Sequence, residues 1–401
     1  MGSIVSKFLV YFHEWKSQQV SDSSILSLKE YLNICSLENI KNLKPSNLKI
    51  CCGNQSADMD SVMSVVIYSY YNYLYNAKVI LPVINIPRED LKLRKDIVNL
   101  LEKVGINKDT ETRKSPLIFI EDIKQLKKVS KCTVDAILVD HNEPQGVAID
   151  TIDKVIGIID HHEDTKSYDK ELIESLGNPL IIKTCGSCTS LITNYWMPKL
   201  QSTKVNTTVL KLGLAAVLLD TSNFKSKVES PDLEALVYYK NALSATFDFK
   251  FFFKELKNDK SDLEGFDMFD LLRKDFKLFE FSGYKIGMAS LGESMESFIA
   301  KFGVDSIKDA CNQYYRLNSM DILLLLTSYS DSKKNHKRQI IFYSGENVEL
   351  ETKIVSAIKE DLELVELNDI HELSAYQQNK DTASRKQIAP IVGKALGNIN
   401  N

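Results

Sequence analysis

Acidic residues and histidines gather at four points of the chain, each just after an apolar run. Asp58 and Asp60 follow LKICCGN, and Asp220 ends the run GLAAVLLD. The runs DAILV and VIGII lead into two triplets, Asp140-His141-Asn142 and Asp160-His161-His162, which hold three of the six histidines in the chain. Carboxylates and imidazoles in such a pattern can hold two divalent cations with one bridging acid, and a cation pair of this kind activates water for hydrolysis.

Each cluster taken alone has an ordinary structural explanation. Asp58 and Asp60 could be turn or cap residues ahead of the helix that follows them. Asp140 or Asp160 could cap a loop, and a single His161 would more often be structural than a ligand. Four acidic clusters at the ends of successive elements would, however, repel one another strongly if no cations lay between them. The clusters together therefore favour a metal site.

The elements that must position these residues form an alternating pattern. Five apolar runs are predicted to be strands: LKICCGN, AKVILPVI, LIFIED, DAILVD and VIGIIDHH. Helices are predicted between them over 62–75 and from Arg88 onward, and later as an amphipathic helix over 206–219 and a further helix over 231–256. This alternation is typical of an α/β fold with a mostly parallel sheet and helices on both faces. Functional groups gather beyond the carboxyl ends of such strands, where we expect the acids to meet.

A second, smaller α/β domain is predicted in the last third of the chain. The polar segment 257–262, KNDKSD, is predicted to be the linker. Beyond it, three runs are predicted to be strands with helices between them: FEFSGYKIGMASL, DILLLLTSYS and RQIIFYSG. We therefore predict an N-terminal domain of residues 1–256, beginning with a helical extension over 1–45, and a C-terminal domain of residues 263–401.

The composition limits the partners and the compartment. A net charge of −4 argues against a chain-wide affinity for polyanions, and there is no basic, aromatic-interleaved module for a nucleic acid strand. The seven cysteines lack the spacing of a zinc site and are predicted to be free thiols in a reducing compartment. With no secretory pattern and no apolar run approaching ~18 residues, we expect a cytoplasmic monomer that engages no membrane.

These motifs resemble the DHH phosphoesterase superfamily. The resemblance rests on GNQSADMDS, VDHNE, DHH and LLDTSN, with SRKQ at Ser384–Gln387, and it runs in order from about Leu48 to about Pro390. It is closest to the branch that contains family II inorganic pyrophosphatases, prune-type proteins and fungal cytosolic exopolyphosphatases. The resemblance implies a metal-binding N-terminal domain, a substrate-binding C-terminal domain and an active site in the cleft between them.

The resemblance also assigns roles to individual residues. Metal ligands are expected at Asp58, Asp60, Asp140, His161 and Asp220, with Asp140 as the bridge. Asn54, His141 and Asp160 are expected to orient these ligands. Contacts to substrate phosphates are expected from His162, Lys277, Arg385 and Lys386, and catalysis from Asp140, His162, Arg385 and Lys386. Arg88, Arg94, Lys225 and Lys227 are candidates for guiding a long polyanion. Without the resemblance, all of these lysines and arginines would be interpreted as solvated surface charges. The run Gly186–Ser190 could offer N–H groups to a phosphate or could simply begin a helix.

Asn54 departs from the pyrophosphatase pattern, which has a histidine at this position. An amide in place of an imidazole lowers the affinity for transition metals and suits Mg²⁺, although Mn²⁺ and Co²⁺ remain alternatives. Asn at this position is similar to the fungal exopolyphosphatases, so the expected substrate is inorganic polyphosphate or a similar small phosphoanhydride. The alternatives are a pyrophosphatase, a prune-like nucleotide phosphodiesterase, and a weakly active protein that binds partners.

Overall fold

The computed structural model describes residues 26–43, 45–106, 115–200, 205–345, 347–367, 370 and 373–397. The part of the predicted extension before residue 26 lies outside these ranges. The chain divides into two units, Met1–Asp262 and Leu263–Asn401.

The first unit contains a sheet whose described strands all run parallel. They are β1 (Asn47–Cys52), β2 (Leu81–Ile84), β3 (Ile118–Phe119), β4 (Thr133–Val139), β5 (Lys154–Asp160) and β6 (Leu180–Ile182). Their order is β3-β2-β1-β4-β5-β6, with Ile50 of β1 opposite Leu81 on one side and Ala136 on the other. Strands β4 and β5 are buried almost throughout, which requires cover on both faces of the sheet.

This strand order places a topological switch point between β1 and β4. After β1 the chain proceeds outward to β2 and β3, and it then returns to the other side of β1 to build β4, β5 and β6. The loops that leave β1 and β4 therefore diverge and open a crevice at the carboxyl edge, where open α/β sheets bind their ligands. Asp58 and Asp140 lie on these two loops, and Asp60 lies in the first turn of the helix that follows the loop after β1.

Helices surround this sheet, and two of them are buried on nearly all sides. The helices of the first unit are α1 (Leu28–Ile34), α2 (Leu37–Leu43), α3 (Met59–Asn76), α4 (Lys95–Lys103), α5 (Ile120–Ser130), α6 (Ala148–Thr151), α7 (Lys170–Ser175), α8 (Cys188–Trp196), α9 (Thr207–Asp220), α10 (Ser230–Ala242) and α11 (Phe249–Ser261), with a 3₁₀ helix at Arg88–Leu93. Residues 59–74 of α3 are all buried, as are 212–218 of α9. These two helices pack against each other and carry three of the acids at their ends.

The structure corrects three predictions in this unit. The helix over 206–219 is buried all round and not amphipathic, because it packs between other helices. The stretch 231–256 is two helices, since α10 ends at Ala242 and Asp248 caps the start of α11. The segment 257–262, predicted to be a linker, is helical through Ser261, because a polar sequence suits a solvated helix end as well as it suits a loop.

The second unit is a mixed sheet with helices on both faces. Its strands are β7 (Phe276–Phe281), β8 (Tyr284–Leu291), β9 (Ile322–Thr327), β10 (Tyr329–Ser330), β11 (His336–Tyr343), β12 (Leu364–Glu366) and β13 (Ser374–Gln378), in the order β12-β13-β11-β9-β8-β7 with β10 beside β11. Its helices are α12 (Met268–Lys274), α13 (Met295–Phe302), α14 (Val304–Leu317), α15 (Val348–Ile358) and α16 (Arg385–Gly397). Along β9, alternate residues face two separate cores, one with α15 and α16 and the other with α12, α13 and α14.

The predicted fold class is confirmed for both sheets. One strand prediction was wrong: FEFSGYKIGMASL belongs to an antiparallel hairpin, β7 and β8, that turns at Ser282 and Gly283, both with positive φ. All seven cysteines are buried free thiols, as predicted. In the described residues no helix is both long enough and apolar enough to cross a membrane.

Candidate metal centre and active site

The loop after β1 is held against the first turn of α3. A Cβ on Gly53 would lie 2.2 Å from Oγ of Ser61, so only glycine allows this close approach. The backbone N–H of Asn54 donates to Ser61 Oγ at 2.9 Å, and Asp58 caps α3 by accepting from the Ser61 N–H at 3.0 Å. Asp58 is therefore a helix cap in this structure, and capping leaves the other lone pairs of its carboxylate able to bind a cation.

Asp60 lies in the first turn of α3 and reaches the start of another helix. Its carboxylate accepts from Ser187 Oγ at 2.7 Å and from the backbone N–H groups of Cys188 and Thr189 at 2.6 and 3.0 Å. The N-terminus of α8, which the GSCTS run suggested as a phosphate site, thus binds an anion that belongs to the protein itself. The orientation of Asp60 is fixed by these three donors.

Asp140 leaves β4 with a left-handed backbone, φ 63°, which turns its side chain into the crevice. One carboxylate oxygen, Oδ2, accepts a 2.6 Å hydrogen bond from the amide nitrogen of Asn54. The other, Oδ1, lies 3.1 Å from Nε2 of His161 and 3.8 Å from Nδ1 of His162. Asn54 therefore orients the acid that was predicted to bridge the cations, while its own Oδ1 accepts from the backbone and hydroxyl of Ser56.

The contacts of His161 determine which of its nitrogens is available to a metal. Nδ1 lies 2.9 Å from the carbonyl oxygen of Cys185, and a carbonyl can only accept, so Nδ1 carries a proton. In the neutral ring Nε2 is then an acceptor that faces the acceptor oxygen of Asp140 at 3.1 Å. Two acceptors at this distance need a proton or a cation between them. Neighbouring ligand atoms around an octahedral ion with bonds of ~2.1 Å lie ~3.0 Å apart, which the observed spacing matches.

Asp160 is fully buried at the end of β5 and organises the DHH triplet. It accepts from the backbone N–H of His161 at 2.7 Å, from Nδ1 of His162 at 2.8 Å and from the amide of Asn142 at 2.6 Å. Asn142 is held in turn, because its oxygen accepts from the N–H and hydroxyl of Thr165. His141, also predicted to orient ligands, is buried with Nδ1 3.0 Å from the carbonyl of Val139.

The buried acids raise one another's pKa. Burial, followed by repulsion from Asp60, raises the pKa of Asp140 to about 7. Burial also raises the pKa of Asp60, and that of Asp220 is well above its ordinary value because of burial and repulsion from Asp60 and Asp58. For Asp160 burial acts in the same direction, but the hydrogen bond and charge of His162 bring its pKa below the usual range. Asp58, Asp60, Asp140 and Asp220 thus repel one another, and a cation would stabilise such a set of donors.

In the described residues, one group of three metal-binding side chains has its ligand atoms within 4.8 Å of one another: Asp140, His161 and His162. Oδ2 of Asp60 lies 3.9 Å from Nε2 of His161. The charges of Asp60 and Asp58 act on both Asp140 and Asp220. The residues present therefore fit a divalent metal.

The loop after Asp220 has an uncommon backbone. Ser222, Asn223 and Phe224 follow one another with φ of 49°, 57° and 59°, in the left-handed region that bulky residues rarely adopt. Lys225 and Lys227 continue this loop and are exposed. They are thus solvated and near the end of α9, and their predicted contact with a polyanion stays a prediction.

The two arginines predicted to guide a polyanion have structural partners. Arg88 forms an ion pair with Asp122 and lies over the ring of Phe119, 4.4 Å from its centroid. Arg94 is only 6% exposed and donates to the carbonyl oxygen of Ser56, within the loop that carries Asn54. Arg94 thus stabilises the loop after β1 by a hydrogen bond to its backbone, a role that the sequence did not suggest.

The three basic residues predicted in the second unit lie near one another. Arg385, at the start of α16, donates to the carboxylate and carbonyl of Asp275 and to the carbonyl of Met288. Met288 is the strand partner of Lys277, which is half-buried on β7, and Lys386 is exposed beside Arg385. Part of the guanidinium of Arg385 therefore holds β7 and β8 in place.

Sequence reasoning missed several groups that hold the site together. Asn142 lay within the DHN triplet but was given no role, and the run Gly186–Ser190 was interpreted as either a phosphate site or a simple helix start. For Asn142, adjacency to a predicted ligand was a usable signal. For the contact between Asp60 and α8 there was none, since the partners are 127 to 129 residues apart.

Comparisons with known proteins place these residues in a family. The family model described as "DHH family, N-terminal domain" matches residues 49–218, and the "DHHA2 domain" model matches residues 254–395. The chain is 30% identical over 360 residues to a Schizosaccharomyces pombe protein named "Putative exopolyphosphatase". The matched region covers 85% of this chain and 88% of that protein. It is 25% identical over 385 residues to the Homo sapiens "Exopolyphosphatase PRUNE1", with 92% of this chain and 79% of that protein covered.

Two archaeal proteins are also similar. The "Manganese-dependent inorganic pyrophosphatase" of Methanothrix thermoacetophila is 30% identical over 243 residues, which are 60% of this chain and 68% of that protein. The crystal structure of a Methanococcus jannaschii "putative family II inorganic pyrophosphatase" superposes with a TM-score of 0.60 at 19% identity, covering 87% of this chain and 100% of that one, and so shares the fold. The resemblance inferred from the motifs is confirmed, and this chain belongs to the DHH phosphoesterase superfamily.

Proposed function

We propose that this chain is a metal-dependent exopolyphosphatase that removes the terminal phosphate from linear inorganic polyphosphate. The observation that carries the proposal is the pairing of Asp140 with His161, acceptor to acceptor at 3.1 Å, within a buried set of acids at the switch point of the sheet. Two facing acceptors destabilise the fold until a proton or a cation lies between them, and a cation also relieves the repulsion among the surrounding acids.

The ligands that would hold two divalent cations are Asp58, Asp60, Asp140, His161 and Asp220, with Asp140 shared. Bound cations supply positive charge that lowers the pKa of water and neutralises phosphoryl oxygens. Asn54 keeps Asp140 oriented through its 2.6 Å hydrogen bond, and three donors at the start of α8 keep Asp60 in place. The protein thereby fixes the ligands before substrate arrives.

His162 is the residue of the DHH triplet proposed to contact the substrate. Asp160 accepts its Nδ1 proton and favours the charged ring, which leaves Nε2 to meet a phosphoryl oxygen. Lys277, Arg385 and Lys386 are proposed to neutralise further phosphate charge, for which Arg offers a fork and Lys a compact charge. Lys225 and Lys227, exposed beside the end of α9, are proposed to attract the rest of the polyanion.

Polyphosphate is preferred over pyrophosphate as the substrate because of Asn54. Its amide replaces an imidazole ligand and should shift the metal preference toward Mg²⁺. The Schizosaccharomyces pombe and human relatives carry exopolyphosphatase names, whereas the archaeal relative is named a pyrophosphatase. The compartment and the oligomeric state predicted from the sequence, a cytoplasmic monomer, are part of the same proposal.

The test compares phosphate release from long-chain polyphosphate, pyrophosphate and a cyclic nucleotide, each with Mg²⁺, Mn²⁺ or Co²⁺. We expect the highest kcat/KM with polyphosphate and Mg²⁺. Faster turnover of pyrophosphate would make the chain a pyrophosphatase, and hydrolysis of the cyclic nucleotide alone would make it a phosphodiesterase. No turnover of any substrate would favour a partner-binding protein. An Asp140→Ala variant that kept full activity would show that the measured hydrolysis arises elsewhere.

A further inference from the structure

One fully buried carboxylate outside the predicted metal ligands contacts the same turn as two of them. Asp232 is the third residue of α10 and is 0% exposed. It accepts three hydrogen bonds: from the backbone N–H of Gly186 at 2.7 Å, from Ser190 Oγ at 2.7 Å and from the backbone N–H of Glu229 at 2.9 Å. The bond from Glu229 caps α10, but the other two reach a segment more than 40 residues away.

That segment, residues 185–189, holds two of the expected metal ligands directly. The carbonyl of Cys185 accepts the Nδ1 proton of His161 and so leaves Nε2 as the ligand atom. The hydroxyl of Ser187 and the amides of Cys188 and Thr189 orient Asp60. Asp232 accepts hydrogen bonds from Gly186 within this turn and from Ser190, the residue that follows it.

The surroundings of Gly186 show that the turn is closely packed against neighbouring segments. A Cβ at this position would lie 2.5 Å from Cγ2 of Thr221, 2.7 Å from the carbonyl of Lys227 and 3.1 Å from Oδ2 of Asp232. Two of these three atoms belong to the loop that follows Asp220, so the turn is confined between that loop and Asp232. A displacement of the turn would therefore move the partners of His161 and Asp60 together.

We propose that Asp232 is a positioning residue of the metal centre, acting on His161 and Asp60 through the turn 185–189. The proposal rests on the metal site of the proposed function but not on its substrate. Groups that hold metal ligands in place typically contribute 10–100-fold to metal affinity. A carboxylate that only capped α10 would contribute to stability and leave the metal affinity unchanged.

The test measures Mn²⁺ affinity of the full chain by titration, together with Tm, for four variants. Asp232→Ala removes all three acceptors, and we expect Mn²⁺ binding about 10–100-fold weaker. Asp232→Asn keeps an oxygen for the two N–H groups and presents an NH₂ to Ser190 Oγ, which can accept, so affinity should stay within about threefold of the original protein. Gly186→Ala leaves the Asp232 side chain unchanged but adds a Cβ that clashes with Thr221 and the carbonyl of Lys227, so it should displace the same turn and weaken binding.

Asp122→Ala is the matched control, because Asp122 is also the third residue of a helix and accepts from a cap N–H, that of Phe119 at 3.0 Å. It should lower Tm and leave the Mn²⁺ affinity unchanged. Equal Mn²⁺ affinity in Asp232→Ala, Gly186→Ala and the original protein would overturn the positioning role. Absence of Mn²⁺ binding by the original protein would instead overturn the metal site itself. If Asp232→Ala does not fold, Gly186→Ala still tests the turn, and an unchanged Mn²⁺ affinity in that variant would overturn the positioning role.

Discussion

The most discriminating single change is Asp160→Asn, which alters one atom of a fully buried side chain. Oδ1 of Asp160 accepts from three donors of His161 and His162, and Oδ2 accepts from the amide of Asn142 at 2.6 Å. Asn142 cannot rotate its amide to compensate, because its oxygen accepts the backbone N–H of Thr165. Whichever way the new amide turns, its NH₂ group therefore faces a donor.

The two facing donors determine how much folding stability Asp160→Asn should lose. Losing one hydrogen bond to a charged group and placing two buried donors face to face should cost about 2–4 kcal/mol. For a unit of this size that corresponds to a decrease in Tm of about 5–15 °C. The imidazole of His162 also loses its carboxylate partner, so kcat should fall about 10–100-fold.

The difference in Tm between Asp160→Asn and the original protein should depend on pH. The folded-state pKa of Asp160 is lowered, so its carboxylate stabilises the fold above the unfolded pKa of ~4, and this stabilisation is lost as the pH falls below it. The Tm gap between Asp160→Asn and the original protein should therefore be full near neutral pH and shrink below about pH 4.

Thermal unfolding at several pH values and phosphate release would measure both effects. Asp164→Asn serves as control, because Asp164 is exposed in the same loop and accepts from the Lys166 N–H and the Tyr168 hydroxyl. Its Tm should change by less than about 2 °C. A Tm for Asp160→Asn as high as that of this control would refute the hydrogen-bond reasoning.

Three further predictions concern the loops at the switch point. Asn54→His should tighten Mn²⁺ binding and raise turnover of pyrophosphate relative to polyphosphate; an unchanged metal preference by titration would remove our explanation of Asn54. Asp140→Asn should raise the Tm of the metal-free protein, measured with a chelator, above about pH 7. The pKa of Asp140 is raised to about 7, so its buried charge destabilises the metal-free fold increasingly as the pH rises from about 4 to 7. Equal Tm values for the variant and the original protein above about pH 7 would contradict this. Arg94→Met should lower Tm by several degrees through loss of its bond to the Ser56 carbonyl, whereas a role in guiding substrate predicts a higher KM for long chains with Tm unchanged.

Sequence patterns were sufficient to predict those parts of this protein that depend on neighbouring residues. Apolar runs that end in polar or acidic residues predicted β1, β4 and β5 and the side chains at or shortly after their carboxyl ends, because strand burial and side-chain alternation are local properties. The same motifs sufficed to indicate the family. Polarity alone was ambiguous, so the end of α11 was predicted to be a linker although it is a solvated helix.

The contacts that hold the expected metal ligands in place could not be predicted from the sequence, because they join distant segments of the chain. Asp60 meets two N–H groups of α8 that lie 128 and 129 residues away along the chain. Arg94 reaches the carbonyl of Ser56, and Asp232 accepts from the N–H of Gly186. Each of these contacts uses a backbone group. Backbone N–H and C=O groups leave no trace in the order of side chains, so their use is set by the strand order and helix packing that bring distant segments together. The residues proposed to do the chemistry can be identified from the motifs, whereas the groups that position them can be identified only from the fold.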